Sequence, residues 1–362
     1  MIFKATLANR VHPEYGQATI PFPITASEYD ISLALLRQLG IGSPITQDCR
    51  VEGISGSYPI LNRLAAQSVN VDELDYLAKR LGSFSGNEDA QFQAMAFKLG
   101  LSDIRDLINL TFCCQETTVI TNFSNLERAG KAHSLTINGG SMPMEEYDKV
   151  DGLAVALDLI QSGTGVVTPY GAVFDNGMKL EPVYDGNSFP MYQYADSLLT
   201  IGVPIQRDIG GPVDTAWLYL PAPEQQITRT LHRIGIANND TAYYIEDSTL
   251  PPGILEVIEC PDDAIFDLNR MCQAVSGLDA AALKKLEAVV MMAQPTGAGE
   301  IRQLAENLEQ FDFVPSVESP ERNSQVTRMG YVAYHGSLTL EELMREDPAE
   351  QYRQEQEMGG MM

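Results

Sequence analysis

The sequence predicts an α+β protein, an elongated chain of small α+β and helical subdomains arranged as two tandem repeats. Three observations lead there. Residues 19–41 (TIPFPITASEYDISLALLRQLGI) return in shortened form at residues 218–236 (LYLPAPEQQITRTLHRIGI). In each copy an apolar-Pro pair, Phe22-Pro23 or Leu220-Pro221, closes a β-like run, a helix start follows, and an apolar stripe ends in Gly-Ile. The texture also alternates between strand-like runs and short helical patterns. Finally, 362 residues with 44% hydrophobic content allow two or three folded domains with ample core.

Residues 2–8 (IFKATLA) and 17–22 (QATIPF) read as two strands joined by a loop holding Pro13 and Gly16. Thr25 followed by Glu28 has capping-box spacing, and Ile31, Leu35, Leu36 and Leu39 recur at helical spacing until Gly40 stops the helix. With a further strand around 49–54, residues 1–58 form an α+β subdomain. Short helices then take over at 60–67, 71–81, 87–100 and 101–112, making 59–112 a helical subdomain. Leu74, Leu77, Ala78 and Leu81 share one face, Ile104, Leu107 and Ile108 another, and Ser102 is placed to cap the last helix. Residues 113–208 read as a second α+β subdomain, with helices at 124–133 and 151–160 and a strand-like run at 166–174. The Gly-Gly-Pro stretch within 206–215 reads as a linker.

The second copy follows as an α+β subdomain (209–265), a helical subdomain (266–312), a terminal strand segment (313–340) and a polar tail (341–362). Pro223 sits at a helix start, and Ile227, Leu231 and Ile234 form the apolar stripe before Gly235. Three further segments echo in order: LNRLAAQ (61–67) with LNRMCQA (268–274), IRDLINLTF (104–112) with IRQLAENLEQF (301–311), and TPYGAVF (168–174) with TRMGYVA (327–333). In this alignment Gly235 to Asn269 spans 34 residues against 22 from Gly40 to Asn62, so the second copy carries a 12-residue insertion.

Charge is the clearest compositional signal: 49 acidic against 24 basic residues, net −25. Residues 1–150 hold 17 acids and 12 bases, net −5, and residues 151–362 hold 32 and 12, net −20. That sign disfavours direct binding to nucleic-acid phosphates and attracts basic partners, although acidity also serves solubility. Five cysteines without a CxxC pair and four scattered histidines give neither zinc spacing nor a disulfide framework. No signal peptide or membrane span is read, and the cytoplasm is the expected compartment.

No Gly-rich phosphate loop, HExxH or nucleophile elbow is present, so no catalytic residue, cofactor or metal ligand is nominated and no enzyme is expected. Cys113-Cys114, His133 and His232 read as structural. Three acidic clusters are the functional candidates. The first is Glu145, Glu146, Asp148, Asp151 and Asp158. The second, in the copy-two insertion, is Asp240, Glu246, Asp247, Glu256, Glu259, Asp262, Asp263 and Asp267. The third is Glu300, Glu306, Glu309 and Asp312, with Glu306 and Glu309 on neighbouring helical positions. Taken singly, each also reads as a solvated face.

Copy one, with its strand pair, Phe22-Pro23 helix start, Leu61-Asn62, the helix over Leu107 to Thr111 and Gly171-Ala172-Val173, resembles the ArdA antirestriction family. Gly330-Tyr331-Val332 in copy two is the fuller form of the last motif. The resemblance covers residues 3–185 well and 217–334 weakly, and its motifs are structural. It implies an elongated, often dimeric DNA mimic whose carboxylates occupy the DNA-binding groove of a restriction enzyme. The expected partner is therefore the basic nucleic-acid-binding surface of a restriction-modification or CRISPR complex, with no direct nucleic acid and no membrane. The tandem copy implies either a homodimer or an intrachain pseudo-dimer. The alternative is an interaction or scaffold protein of a mobile element that inhibits through shape and apolar contact.

Overall fold

The computed structural model describes residues 1–192, 197–206, 213–236, 241–259, 263–315 and 326–345. The chain divides into two compact units, Met1–Pro190 and Met191–Met362. Both are α+β, and every strand pairing among the described residues is antiparallel. No helix among them is long and apolar enough to cross a membrane.

In unit 1, β1 (Phe3–Asn9) pairs with β2 (Gln17–Phe22) so that Phe3 faces Phe22, their ring centroids 5.5 Å apart. Alternation turns Phe3, Ala5 and Leu7 into the core. Next come α1 (Ala26–Gln38), β3 (Cys49–Gly56) and β4 (Ser68–Val69), giving the sheet order β2-β1-β3-β4. The inner stripe of α1 is Tyr29, Ser32, Leu33 and Leu36. Ile31 and Leu35, expected inside, are 65% and 42% exposed. At 3.6 residues per turn Ile31 lies about 200° round from Tyr29, and the larger buried ring decides which face turns inward. The Thr25 box does not close either: its hydroxyl bonds the Glu28 carboxylate side chain to side chain, 3.0 Å.

The predicted helix at 60–67 is a 3-10 turn, Pro59–Leu64. The helical layer is α2 (Val71–Gly82), α3 (Gly86–Leu99) and α4 (Ile104–Leu110). Asp103, one residue after the expected Ser102, caps α4 by accepting from Arg105 N at 2.8 Å. After it come β5 (Thr118–Ile120), α5 (Leu126–Ile137), α6 (Met144–Tyr147), α7 (Gly152–Gln161), β6 (Val166–Thr168) and β7 (Gly171–Phe174), with sheet order β5-β7-β6. Helices α5 and α7 touch backbone to backbone: a Cβ on Gly130 would lie 1.8 Å from the Gly152 carbonyl oxygen.

Residues 175–190 read as an irregular Gly- and Asp-rich segment, and they fold back onto α2 and α4. Buried Tyr184 donates its hydroxyl to the Glu73 carboxylate (3.0 Å) and exchanges backbone bonds with the Asn109 side chain (2.6 and 3.1 Å). Phe189 stacks against both Tyr184 and Tyr76. Glu73, only 1% exposed, also accepts from Gln47 Nε2 and the Asn70 amide, which closes the capping box of α2.

Unit 2 starts earlier than the 208/209 boundary read from the sequence. Strand β8 (Leu199–Gln206), assigned to the first copy, pairs along its whole length with β9 (Val213–Leu220), from Leu199↔Leu220 to Gln206↔Val213. The Gly-Gly-Pro stretch therefore joins two paired strands. Glycine and proline punctuate hairpins as readily as linkers, which is why composition misplaced the boundary; residues 207–212 themselves lie outside the described residues. The unit continues through α8 (Glu224–Arg233), β10 (Tyr244–Ser248), α9 (Pro252–Ile258), α10 (Ile265–Ser276), α11 (Ala280–Ala293), α12 (Ala298–Glu306), β11 (Phe311–Pro315), β12 (Val326–Thr327), β13 (Gly330–Tyr334) and α13 (Leu340–Met344). One apolar core runs from Leu199 and Ile201 through Ile227, Met271 and Ile301 to Val332 and Leu343. The tail beyond residue 345 lies outside the described residues.

The two units share parts of their sheet topology. The sheet order β9-β8-β10 matches β2-β1-β3, and β11-β13-β12 matches β5-β7-β6. Phe22-Pro23 and Leu220-Pro221 are both cis. The amide after each proline donates to a helix side chain, Ile24 N to Asp75 Oδ1 at 2.7 Å and Ala222 N to Asn269 Oδ1 at 2.8 Å. Thr168 and Thr327 make matching bonds across their hairpins, to the carbonyls of Gly171 and Gly330 and from the amides of Tyr170 and Met329. This register sets α10 against α2, and the two LNR segments fall on different elements: 61–64 is a 3-10 turn and 268–274 lies within α10. Gly40 to Asp75 then spans 35 residues against 34 from Gly235 to Asn269, and the apparent insertion disappears.

Candidate functional site

In unit 1 the acidic candidates gather on one short stretch. Glu145 and Glu146 lie on α6, Asp148 follows it, and all three are exposed, as is Asp158 on α7. Asp151 is the N-cap of α7 and accepts from Ala154 N at 3.0 Å, a structural bond that satisfies an otherwise open helix amide.

In unit 2 they separate into two kinds. Glu246 and Asp247 on β10, an edge strand of its sheet, are exposed. So are Glu256 and Glu259 at the end of α9, one turn apart. Glu306, Glu309 and Asp312 are exposed where α12 passes through a 3-10 turn into β11. Among the described residues Glu246, Glu256, Glu259, Glu306 and Glu309 have no cationic partner; Asp312 lies 3.9 Å from His335 Nε2.

The others hold the fold. Asp263 accepts from Ala298 N at 2.9 Å and so ties down the start of α12, while its carbonyl accepts from the Tyr243 hydroxyl. Asp267 pairs with Arg270 at 3.2 Å, and Arg270 also reaches Glu224 at 3.3 Å. Glu300 accepts from Thr296 N at 2.6 Å. Spacing alone does not separate these from the exposed carboxylates, because a capping acid and a solvated acid carry the same letters. Asp240 and Asp262 lie outside the described residues.

Cys113, Cys114 and Cys272 are buried, and burial pushes their thiols up, Cys113 to about 11 with nearby Glu116 adding to the effect. Such thiols are poor nucleophiles at neutral pH. His133 is half-buried on α5, 2.8 Å from the Thr118 hydroxyl, and burial lowers its pKa. No group of three or more His, Cys, Asp or Glu side chains among the described residues could hold a metal ion.

Unit 1 also holds a cleft of about 880 Å³ that no motif marked in the sequence. One wall is the first turns of α3, with Gly86, Asn87, Glu88, Ala90 and Gln91; the other is α5, with Arg128, Ala129, Ala132 and Thr136. Its floor is residues 115–122, which include β5, the outermost strand of its sheet. Burial pulls the Glu88 carboxyl up, but hydrogen bonds from Ser85 and Gln115, with Arg80 nearby, outweigh it and hold the pKa below the usual range. The available signal was the small residues, Ala129 and Ala132 one turn apart opposite Ala90, which leave space between two helices.

Compared with known proteins, the chain matches no family model, no curated protein and no solved structure.

Proposed function

We propose that this protein is a non-enzymatic inhibitor of a bacterial defence complex, of the restriction-modification or CRISPR type, built from two ArdA-like modules in tandem. Its carboxylates stand in for nucleic-acid phosphates and occupy a basic nucleic-acid-binding surface, in the bacterial cytoplasm. The observation that carries this reading is the set of exposed acids on unit 2 without a cationic partner among the described residues: Glu246, Glu256, Glu259, Glu306 and Glu309. Unit 2 holds 27 acidic against 11 basic residues, net −16, and unit 1 holds 22 against 13, net −9. A groove that neutralises phosphates, one charge per about 1.7 Å of duplex axis, also accepts fixed carboxylates of similar density. The shared parts of the sheet topology support two modules in one chain, which take the place of a homodimer.

The test is capture of nucleic-acid-handling complexes from a host expressing restriction or CRISPR machinery, paired with protection of incoming DNA. Exchanging the five glutamates above for lysine should abolish both. Loss of neither, or capture of no such complex, refutes mimicry. Salt separates the second reading, inhibition by apolar contact, which the outward Leu153 (48% exposed) and Leu157 (40% exposed) on α7 favour. Mimicry weakens steeply between low and high salt, and an apolar interface does not.

A further inference from the structure

The floor of the unit 1 cleft is a strand with one open side. β5 ends the order β5-β7-β6, so among the described residues only β7 pairs with it. Neighbouring residues of a strand turn their backbone groups to opposite sides. Gln91 of α3 donates its Nε2 to the Thr117 carbonyl, which fixes the cleft as the side faced by Thr117, and by alternation by Val119 and Thr121. On the other side Asn176 Nδ2 bonds the Glu116 carbonyl, in agreement with that alternation. Thus the first outward carbonyl is already satisfied by a side chain, while the outward groups of Val119 and Thr121 have no backbone partner beyond the β5–β7 ladder among the described residues.

We propose that this cleft takes an extended peptide segment of neutral or basic character, paired as an added strand along the outer edge of β5. The backbone edge dictates an extended chain, because only that conformation presents donors and acceptors at the strand repeat. The walls permit it: Ala90 on one side and Ala129 and Ala132 on the other leave a slot between helices, and about 880 Å³ is the size of a ligand-binding cleft. Charge sets the composition. Glu88 and Glu116 line the cleft against a single lining cation, Arg128, within a chain of net −25, so an acidic peptide is repelled at long range. This site is separate from the carboxylates of unit 2 and does not rest on their role.

The probe is a display library of random nine-residue linear peptides, selected on the full-length protein, with hydrogen exchange read at individual amides. Selected peptides should be neutral or basic and should slow exchange at Val119 and Thr121. N-methylation along a selected peptide should weaken binding about tenfold at every second position and by less than about twofold in between, the signature of strand pairing. Ala132→Trp, which fills the slot, should abolish binding while the melting temperature stays within a few degrees. If that variant unfolds, the N-methyl scan on the unaltered protein decides alone. No enrichment, an unbroken N-methyl profile, or protection elsewhere than at 119–121 overturns the proposal. Lysine exchange at the five unit 2 glutamates should leave peptide binding within about twofold, which keeps a failure here distinct from a failure of mimicry.

Discussion

The contact between α5 and α7 sets two known effects against each other in Gly130→Ala. By helix propensity the change stabilises, by about 0.8–1 kcal/mol in a helix interior. By packing it cannot be accommodated in place. The new Cβ would sit 1.8 Å from the Gly152 carbonyl oxygen, and ordinary contact begins near 3.4 Å, so the helices must part by about 1.6 Å. The atom in the way is backbone and cannot swing aside as a side-chain tip would; the facing Gly152 is equally tight, its own Cβ position lying 2.1 Å from the Glu127 carbonyl oxygen. Overpacking of this kind costs about 1–3 kcal/mol, often toward the upper end when backbone must move. The net expectation is a destabilisation of about 1–2 kcal/mol, which lowers the melting temperature of a unit this size by about 2–8 °C. Calorimetry and urea unfolding report it, with Gly86→Ala as the control. Gly86 has nothing within 4 Å of its Cβ position and should be neutral or slightly stabilising. A Gly130→Ala protein that melts at or above the parent would refute the backbone contact and the helix crossing derived from it.

Tyr184→Phe removes the hydroxyl that Glu73 accepts in the interior and should lower stability by about 1.5–3 kcal/mol in urea titrations, as for other bonds to a buried charge. Asn269→Ala leaves the amide of Ala222 unpaired beside a fully buried site and removes one of two donors to its carbonyl, which Gln273 Nε2 still reaches at 3.3 Å, so a loss of about 1–3 kcal/mol is expected by the same assay. His133 has a folded pKa below its unfolded value of about 6.5, because burial disfavours the charged ring. The folded state therefore binds fewer protons, its stability is intact above about pH 6.5 and falls as pH drops below it, and His133→Gln should flatten that slope in unfolding curves from pH 7.5 to 5.5.

The parts of the fold legible in the sequence were those written as local repetition. The strand pair, the Phe-Pro helix start, the stripe Leu74, Leu77, Ala78 and Leu81, and the strand-like run at 166–174 each advertise themselves within a dozen residues. What failed was decided at a distance. Whether Ile31 or Tyr29 faces inward depends on the sheet beneath α1, and whether the glycines at 210–211 link units or strands depends on which strand β8 finds. The letters LNR recur on a 3-10 turn and on α10, whereas the bond to the residue after a proline comes from Asp75 of α2 and Asn269 of α10. For the site, sequence found the acids and could not rank them. Asp263 and Glu300 are spent on helix ends, whereas Glu256 and Glu309 are not, a difference that exists only in three dimensions.

The 175–190 segment has a practical consequence for anyone dividing this chain. A fragment ending at Phe174 would keep every helix and strand of the first unit and still expose Glu73, Asn109 and the ring of Tyr76, because Tyr184 and Phe189 would be gone. One ending at Pro190 would keep them covered, along with the carbonyl to which Tyr76 donates. The boundary of the unit is thus marked by an irregular strap anchored through aromatic rings, and a fragment cut by secondary structure alone would lose its last buried layer.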